Sequence, residues 1–145
     1  MKDTTTERLT DILKKVKSPK GAEDFVEKYS KDHYTSFSEF INTYMKEHNL
    51  KSSDIVNNSE INKNYVYHII RGAKHPSRDK TLALCIACGM NFTMTNRGLK
   101  ANGCNPLDPK NPRDAYIAVC INMGYSQVTK VNIVLEENGL NLIEV

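Results

Sequence analysis

Glycine is scarce in this chain of 145 residues: its 7 Gly form no Gly-rich phosphate loop and no Gly-Lys-Ser/Thr motif, so the common nucleotide-cradling loops are not expected. No apolar run approaches the ~20 residues of a membrane span, and the first residues are charged and Thr-rich. Neither insertion nor secretion is expected, and the default compartment is the cytoplasm. The four cysteines, Cys85, Cys88, Cys104 and Cys120, include one C-x-x-C pair, which lies inside the apolar run Leu82 to Cys88. A structural zinc site places such a pair on a tight turn and adds a second at similar spacing. Without that second pair the thiols read as small buried hydrophobes, reduced in their compartment, with metal or redox chemistry as the lesser alternative. No metal and no cofactor is expected. His33, His48, His68 and His75 lack a partnered nucleophile, and the carboxylates are scattered on exposed helical faces. The chain therefore does not read as an enzyme.

Charge of one sign is also modest, at +3 overall, but it is unevenly placed. Residues 62 to 80 hold Lys63, Arg71, Lys74, Arg78 and Lys80 against Asp79, which is five minus one, or +4; the rest of the chain sums to −1. Such a cluster suits phosphate neutralisation, with a solvated basic loop as the plainer alternative. Hydrophobic residues at 39% and charged residues at 26% are ordinary for a globular protein. At this length a chain buries roughly two-thirds of its unfolded surface, enough for a real core.

Helical spacing dominates the pattern. Thr4-x-x-Glu7 is a candidate capping box before Leu9, Ile12, Leu13 and Val16. Ser18-Pro19 ends that helix and starts another with Ala22, Phe25, Val26 and Tyr29 as its stripe. Together they predict an N-terminal helical hairpin, with Ser30 to Ser36 as a connector. Phe37, Phe40, Ile41, Tyr44 and Met45 then recur as i, i+3, i+4, i+7, i+8. A short helix follows, N-capped by Ser52 or Ser53, with Ile55 and Val56 inward and a turn over Asn57 to Ile61. Ser77 caps a helix through Cys88 that is apolar nearly all round, which predicts a central buried position. Gly89 ends it, and residues 94 to 102 form another helix.

The C-terminal third repeats this last unit. Pro112 to Ile121 lies 35 residues beyond Ser77 to Ile86, with Arg113-Asp114 matching Arg78-Asp79 and Gly124 matching Gly89. After one inserted residue, Leu135 to Asn141 matches Leu99 to Asn105. Two similar helical hairpins are implied, packed as one body because two copies are too few for an open solenoid, although two buried amphipathic hairpins can also look alike by chance. Leu140, Leu142, Ile143 and Val145 either complete the core or join a second subunit.

Between these parts lies Asn62 to Arg71. At 3.6 residues per turn Tyr65, Val66, Ile69 and Ile70 fall on one side, and Lys63, Asn64, Tyr67, His68 and Arg71 on the other. One side suits burial. The other carries amide, imidazole, phenol and cationic groups suited to base edges, and Asn62 is a good N-cap. Gly72 stops the helix before the loop Ala73 to Pro76.

From about Phe37 to Met90 this order of helix, short helix, turn, two-faced helix, Arg71-Gly72-Ala73-Lys74-His75-Pro76-Ser77 and closing apolar helix resembles the lambda-repressor-like, or XRE-type, helix-turn-helix family. Ile55, Ile61, Val66 and Ile69 take the family's core positions. Tyr67 to Gly72 with Pro76 to Lys80, and then Pro112-Arg113-Asp114, are similar to small bacterial members with a helical N-terminal segment and a C-terminal hairpin, a resemblance that covers nearly the whole chain. The resemblance implies an all-α fold: an N-terminal hairpin and connector at 1–35, a helix-turn-helix core at 36–107, and a C-terminal hairpin at 108–145. It implies base contacts from Lys63, Asn64, Tyr67 and His68, and phosphate contacts from Ser52, Asn62, Arg71, Lys74, Ser77 and Arg78. Two positions depart from the family: Ser52 stands where a Gln commonly braces the backbone, and Glu60 stands where a Gly commonly takes the turn. A Glu there with positive φ would cost on the order of 1 kcal/mol, so a remodelled turn is expected.

The function implied is sequence-specific binding of double-stranded DNA by a homodimeric transcriptional regulator, since one such helix reads a half-site. The alternative is a protein-interaction module, an accessory or inhibitor that engages its partner through the N- or C-terminal hairpin. No membrane partner is expected.

Overall fold

The computed structural model describes residues 11–29 and 36–145, and every regular element among them is helical. The expected capping box at Thr4, the connector 30–35 and the side chains of Phe25, Val26 and Tyr29 lie outside the described residues. The chain divides into two compact units, Met1–Tyr34 and Thr35–Val145. In the first, residues 11–13 are helical and helix α1 spans Pro19–Tyr29. Ser18 caps α1 as expected, its Oγ accepting the Gly21 N–H at 3.0 Å, and Pro19 sits at the first position, where its missing N–H has no helical partner to lose.

The second unit holds α2 (Phe37–Glu47), α3 (Ser52–Ser59), α4 (Lys63–Ile70), α5 (Arg78–Ala87), α6 (Phe92–Ala101), α7 (Pro112–Asn122) and α8 (Val128–Glu137). The C-terminal hairpin thus shares one compact body with the segment before it, and the boundary expected near 108 does not separate units. Local chemistry explains most starts. Ser36 caps α2, Ser77 caps α5, Asn91 caps α6 and Asn111 caps α7, each side-chain oxygen accepting a backbone N–H three residues on. The cap at Asn91 starts α6 two residues before the position expected from apolar spacing.

Two further expectations change at α3. Lys51, not Ser52 or Ser53, occupies the cap position, and its backbone N–H donates to the Asp54 carboxylate at 3.3 Å. The helix also runs on to Ser59, so the turn shrinks to Glu60–Asn62. Ser59 is fully buried and its Oγ accepts the Ile61 N–H at 3.2 Å, which gives the turn an internal hydrogen bond that the apolar pattern does not reveal.

The core centres on α5. Every residue from Thr81 to Cys88 is buried, with α3, α6 and α8 packed on the helix and α2 packed on α4 and α6. α6 approaches closely at Gly98, where an added Cβ would lie 2.8 Å from Cys85 Sγ and 3.0 Å from the Phe40 ring. Phe37, Phe40, Ile41, Tyr44 and Met45 are all buried, as their spacing predicts. Asn102 joins the parts of the first hairpin: its side-chain amide donates to the Pro76 carbonyl at 2.7 Å and to Thr81 Oγ1 at 2.8 Å. No described helix is long and apolar enough to cross a membrane.

Candidate functional site

The surface around α4 is built from its inward side. Val66 and Ile69 are buried, as are Ile55 on α3, which packs on α4, and Ile61 in the turn between them, so stiff β-branched residues fix which side of the helix faces inward. α2 fixes its far end. Ser38 Oγ donates to the Ile70 carbonyl at 2.8 Å and Asn42 Nδ2 donates to the same oxygen at 2.7 Å. These two residues satisfy one of the orphan carbonyls that every helix C-terminus leaves. Their spacing of four on the polar side of α2 was the available sign, but which helix end they reach depends on the packing. Gly72 follows with φ 78°, an easy conformation for glycine alone.

The N-terminal end is aimed as the sequence predicts. Asn62 Oδ1 accepts the Asn64 N–H at 2.9 Å, and Lys63 and Asn64 are exposed, with Tyr67 and His68 half-buried beside them. Lys63 Nζ lies 5.8 Å from the centroid of the Tyr67 ring. Tyr65, expected inward, is half-buried at the edge of the helix, with Lys80 Nζ 4.8 Å and Lys74 Nζ 5.9 Å from its ring centroid.

Of the residues expected at phosphate, Arg71, Lys74 and Asn62 are exposed and Ser52 is half-buried. Ser77 is exposed, but its hydroxyl is engaged in capping, accepting the Lys80 N–H at 3.1 Å. Arg78 is the correction. Its guanidinium grips Asp114 with two bonds of 2.8 and 3.1 Å and donates to the carbonyls of Asn105 and Pro106. It belongs to the joint between the hairpins, where its side chain remains 29% exposed.

That joint is reciprocal. Arg113 grips Asp79 with bonds of 3.0 and 3.2 Å and donates to the carbonyls of Asn141 and Leu142. The Asp108 N–H donates to Asp114, and the Glu144 N–H to Asp79, each at 2.9 Å. Asn96 Oδ1 accepts from Leu107, and Asn132 Oδ1 accepts from Ile143. The arginine of each hairpin thus meets the aspartate of the other, the exchange an isologous interface shows between two subunits, while the asparagines tie the loop of their own hairpin. Burial alone would push the Asp114 carboxyl up. The Arg78 hydrogen bonds, the Asp108 N–H and the charges of Arg78 and Arg113 outweigh it and hold the group below its ordinary range.

The joint changes the charge arithmetic of residues 62–80 without changing its sum. Arg78 and Asp79 are consumed by pairing across the hairpins, which leaves Lys63, Arg71, Lys74 and Lys80, still +4. No ion pair among the described residues holds these four. Glu60 takes φ 64° rather than remodelling its turn, and its carboxylate accepts a hydrogen bond from Thr129 Oγ1 at 3.0 Å, at the start of α8. α8 has neither a side-chain cap nor an acidic residue in its first turn, so Glu60 supplies the negative charge that a helix N-terminus favours. The negative charge expected beside the reading surface is directed at the C-terminal hairpin.

The four cysteines are free thiols, three buried and Cys104 half-buried. Burial pushes Cys85 well up and Cys88 up to about 12, so both stay protonated at neutral pH and pack as apolar groups. Among the described residues no group of three or more His, Cys, Asp or Glu is placed to hold a metal ion. No protein-family model, no curated protein and no solved structure matches the chain.

Proposed function

We propose that the chain binds double-stranded DNA in a sequence-specific manner, with α3 and α4 as a helix-turn-helix of the lambda-repressor-like kind and α4 in the major groove. The observation that carries this reading is the division of α4. Val66 and Ile69 are buried on one side, while Lys63 and Asn64 are exposed at its capped N-terminal end, ahead of half-buried Tyr67 and His68. Asn pairs two hydrogen bonds with adenine, Lys reaches guanine acceptors, and the neighbouring Arg71 and Lys74 suit backbone phosphate. The four cations, in no ion pair among the described residues, give the surface the sign that DNA requires. Reading two half-sites about one helical turn apart calls for a homodimer, and regulation of transcription in the cytoplasm is the role such binding serves.

The test is selection from a randomised duplex pool, followed by binding of the selected and random duplexes at several salt concentrations. Lys63→Ala with Asn64→Ala should abolish discrimination between the two duplexes while leaving the fold intact. Absence of duplex binding by the unaltered chain at low salt overturns the proposal.

A second reading has its own observation. On α7, Tyr116 and Val119 are 40% and 52% exposed, Met123 at its C-cap is 62% exposed, and the spacing of 116, 119 and 123 places them along one stripe. Exposed apolar groups in a row suit a protein partner, and a helix-turn-helix body retained as an interaction module would use them. Retention of a partner by a chain that binds no duplex favours this second reading.

A further inference from the structure

Four cations lie around α4 with no ion pair among the described residues, and two of them converge on one ring. Lys80 comes from the first turn of α5 and Lys74 from the loop before it, yet their ammonium groups lie 4.8 and 5.9 Å from the centroid of Tyr65 on α4. Both distances fall within the range where a ring's negative face attracts a cation. Two ammonium groups gathered at one ring repel each other, and among the described residues neither is held in an ion pair. Asp79, the acid nearest in sequence to Lys80, is taken by Arg113 and by the backbone N–H of Glu144. The ring holds the two long side chains in place, and what the arrangement lacks is an anion.

We infer that Tyr65, Lys74 and Lys80 form a grip for a backbone phosphate of the nucleic acid, flanking the base-reading residues, with Tyr65 as the positioning residue. This rests on the DNA-binding reading above and deepens it: it assigns roles to Tyr65 and Lys80, two residues that the base-reading face does not include. Lys80 takes the place that Arg78 vacates. The ring lowers the entropy that flexible lysines lose on binding, and the grip adds charge neutralisation that is blind to sequence.

The experiment uses the full chain and a random-sequence duplex of 30 base pairs, with binding read by fluorescence anisotropy across a salt series. Each phosphate neutralised contributes about 0.9 to the slope of log K against log salt. Lys80→Ala should therefore flatten the slope by about that amount, equally for random and selected duplexes. Tyr65→Leu keeps the net charge and should weaken binding by about threefold to tenfold, whereas Tyr65→Phe, which keeps the ring, should bind like the unaltered chain. Lys80 is a helix-surface residue, so Lys80→Ala keeps the test decisive even if Tyr65→Leu fails to fold. Unchanged slope and affinity in Lys80→Ala, in a chain that does bind duplex, overturns the grip and leaves the reading helix standing. An unaltered chain that binds no duplex overturns both.

Discussion

The two hairpins carry one template and meet different surroundings. In the first, Thr81, Leu84 and Cys88 of α5 and its C-cap are buried; 35 residues on, their counterparts Tyr116, Val119 and Met123 are 40%, 52% and 62% exposed. On α6, Gly98 lets α5 and α2 approach within a methyl group's reach, while its counterpart on α8 is Val134, half-buried. The shared residues include those of the joint: Arg78 with Asp114, Arg113 with Asp79, and the asparagines that hold the loop behind each hairpin. The joint is common to both copies, and the burial of the outer helix face depends on the neighbour. α3 covers α5, whereas α7 is packed on α6 and α8. The first hairpin serves as the floor under α3 and α2, on which α4 packs in turn. The second closes the body and keeps an open apolar stripe.

The sharpest way to break this comparison is truncation at matched positions. Leu84→Ala should cost about 2–5 kcal/mol, as emptied core sites do, while Val119→Ala should stay within about 0.5 kcal/mol; urea denaturation of both measures the difference. Equal effects would mean that the outer face of α7 is covered in solution.

The joint comes next. Asp114 is 7% exposed at its side chain and Asp79 is 23% exposed, so the two halves of the exchange should not be equal. Asp114→Asn should cost about 2 kcal/mol and Asp79→Asn about 1 kcal/mol, in the range of hydrogen bonds to charged groups. Acid sharpens the assignment. Because the folded state holds Asp114 below its ordinary range, its contribution is complete above the unfolded value of about 3.9 and is lost as pH falls through the lower folded value. Unfolding free energy measured from pH 5 down to pH 2 should fall less steeply in Asp114→Asn than in the unaltered chain. An identical slope would place the acid sensitivity elsewhere.

The smallest effect is expected where the two halves touch at the turn. Glu60→Gly removes a left-handed non-glycine residue worth about 1 kcal/mol and loses one exposed hydrogen bond to Thr129 worth about 0.5 kcal/mol. A net gain of about 0.5 kcal/mol should raise the thermal midpoint by about 1–2 °C. A loss instead would show that the carboxylate at the start of α8 matters more than the strain.

Much of the body was legible from spacing. The stripe on α2, the apolar circumference of α5 and Val66 and Ile69 on α4 face where a 3.6-residue period puts them, because burial of apolar surface is strong and periodic. The caps Ser18, Asn62 and Ser77 were legible as residue types, although Ser36 reads as connector and α6 begins at Phe92 behind its Asn91 cap, two residues before the expected start. Tyr65 was misplaced because a phenol satisfies both environments, and helical angle alone does not tell a core position from an edge. Arg78 was misplaced for a different reason. A surface arginine beside a basic loop has the composition of a phosphate contact, and its real partner lies 36 residues away. The repeated Arg-Asp pair was the signal available, but repetition alone does not say that each arginine crosses to the other copy.

By itself, then, the sequence determined that this chain is helical, that its second hairpin copies its first, that α5 is central and that α4 has two chemically distinct sides. Those conclusions rest on interactions between residues a few positions apart, which a linear pattern records. Only the tertiary structure decided that Arg78 and Arg113 exchange carboxylates, that Glu60 turns to Thr129, and that Lys74 and Lys80 gather at Tyr65. Each of these depends on where a long polar side chain finds its partner after the apolar faces have docked. The +4 charge beside α4 belongs to both accounts: its sum was set by composition, and the four residues that carry it were chosen by the fold.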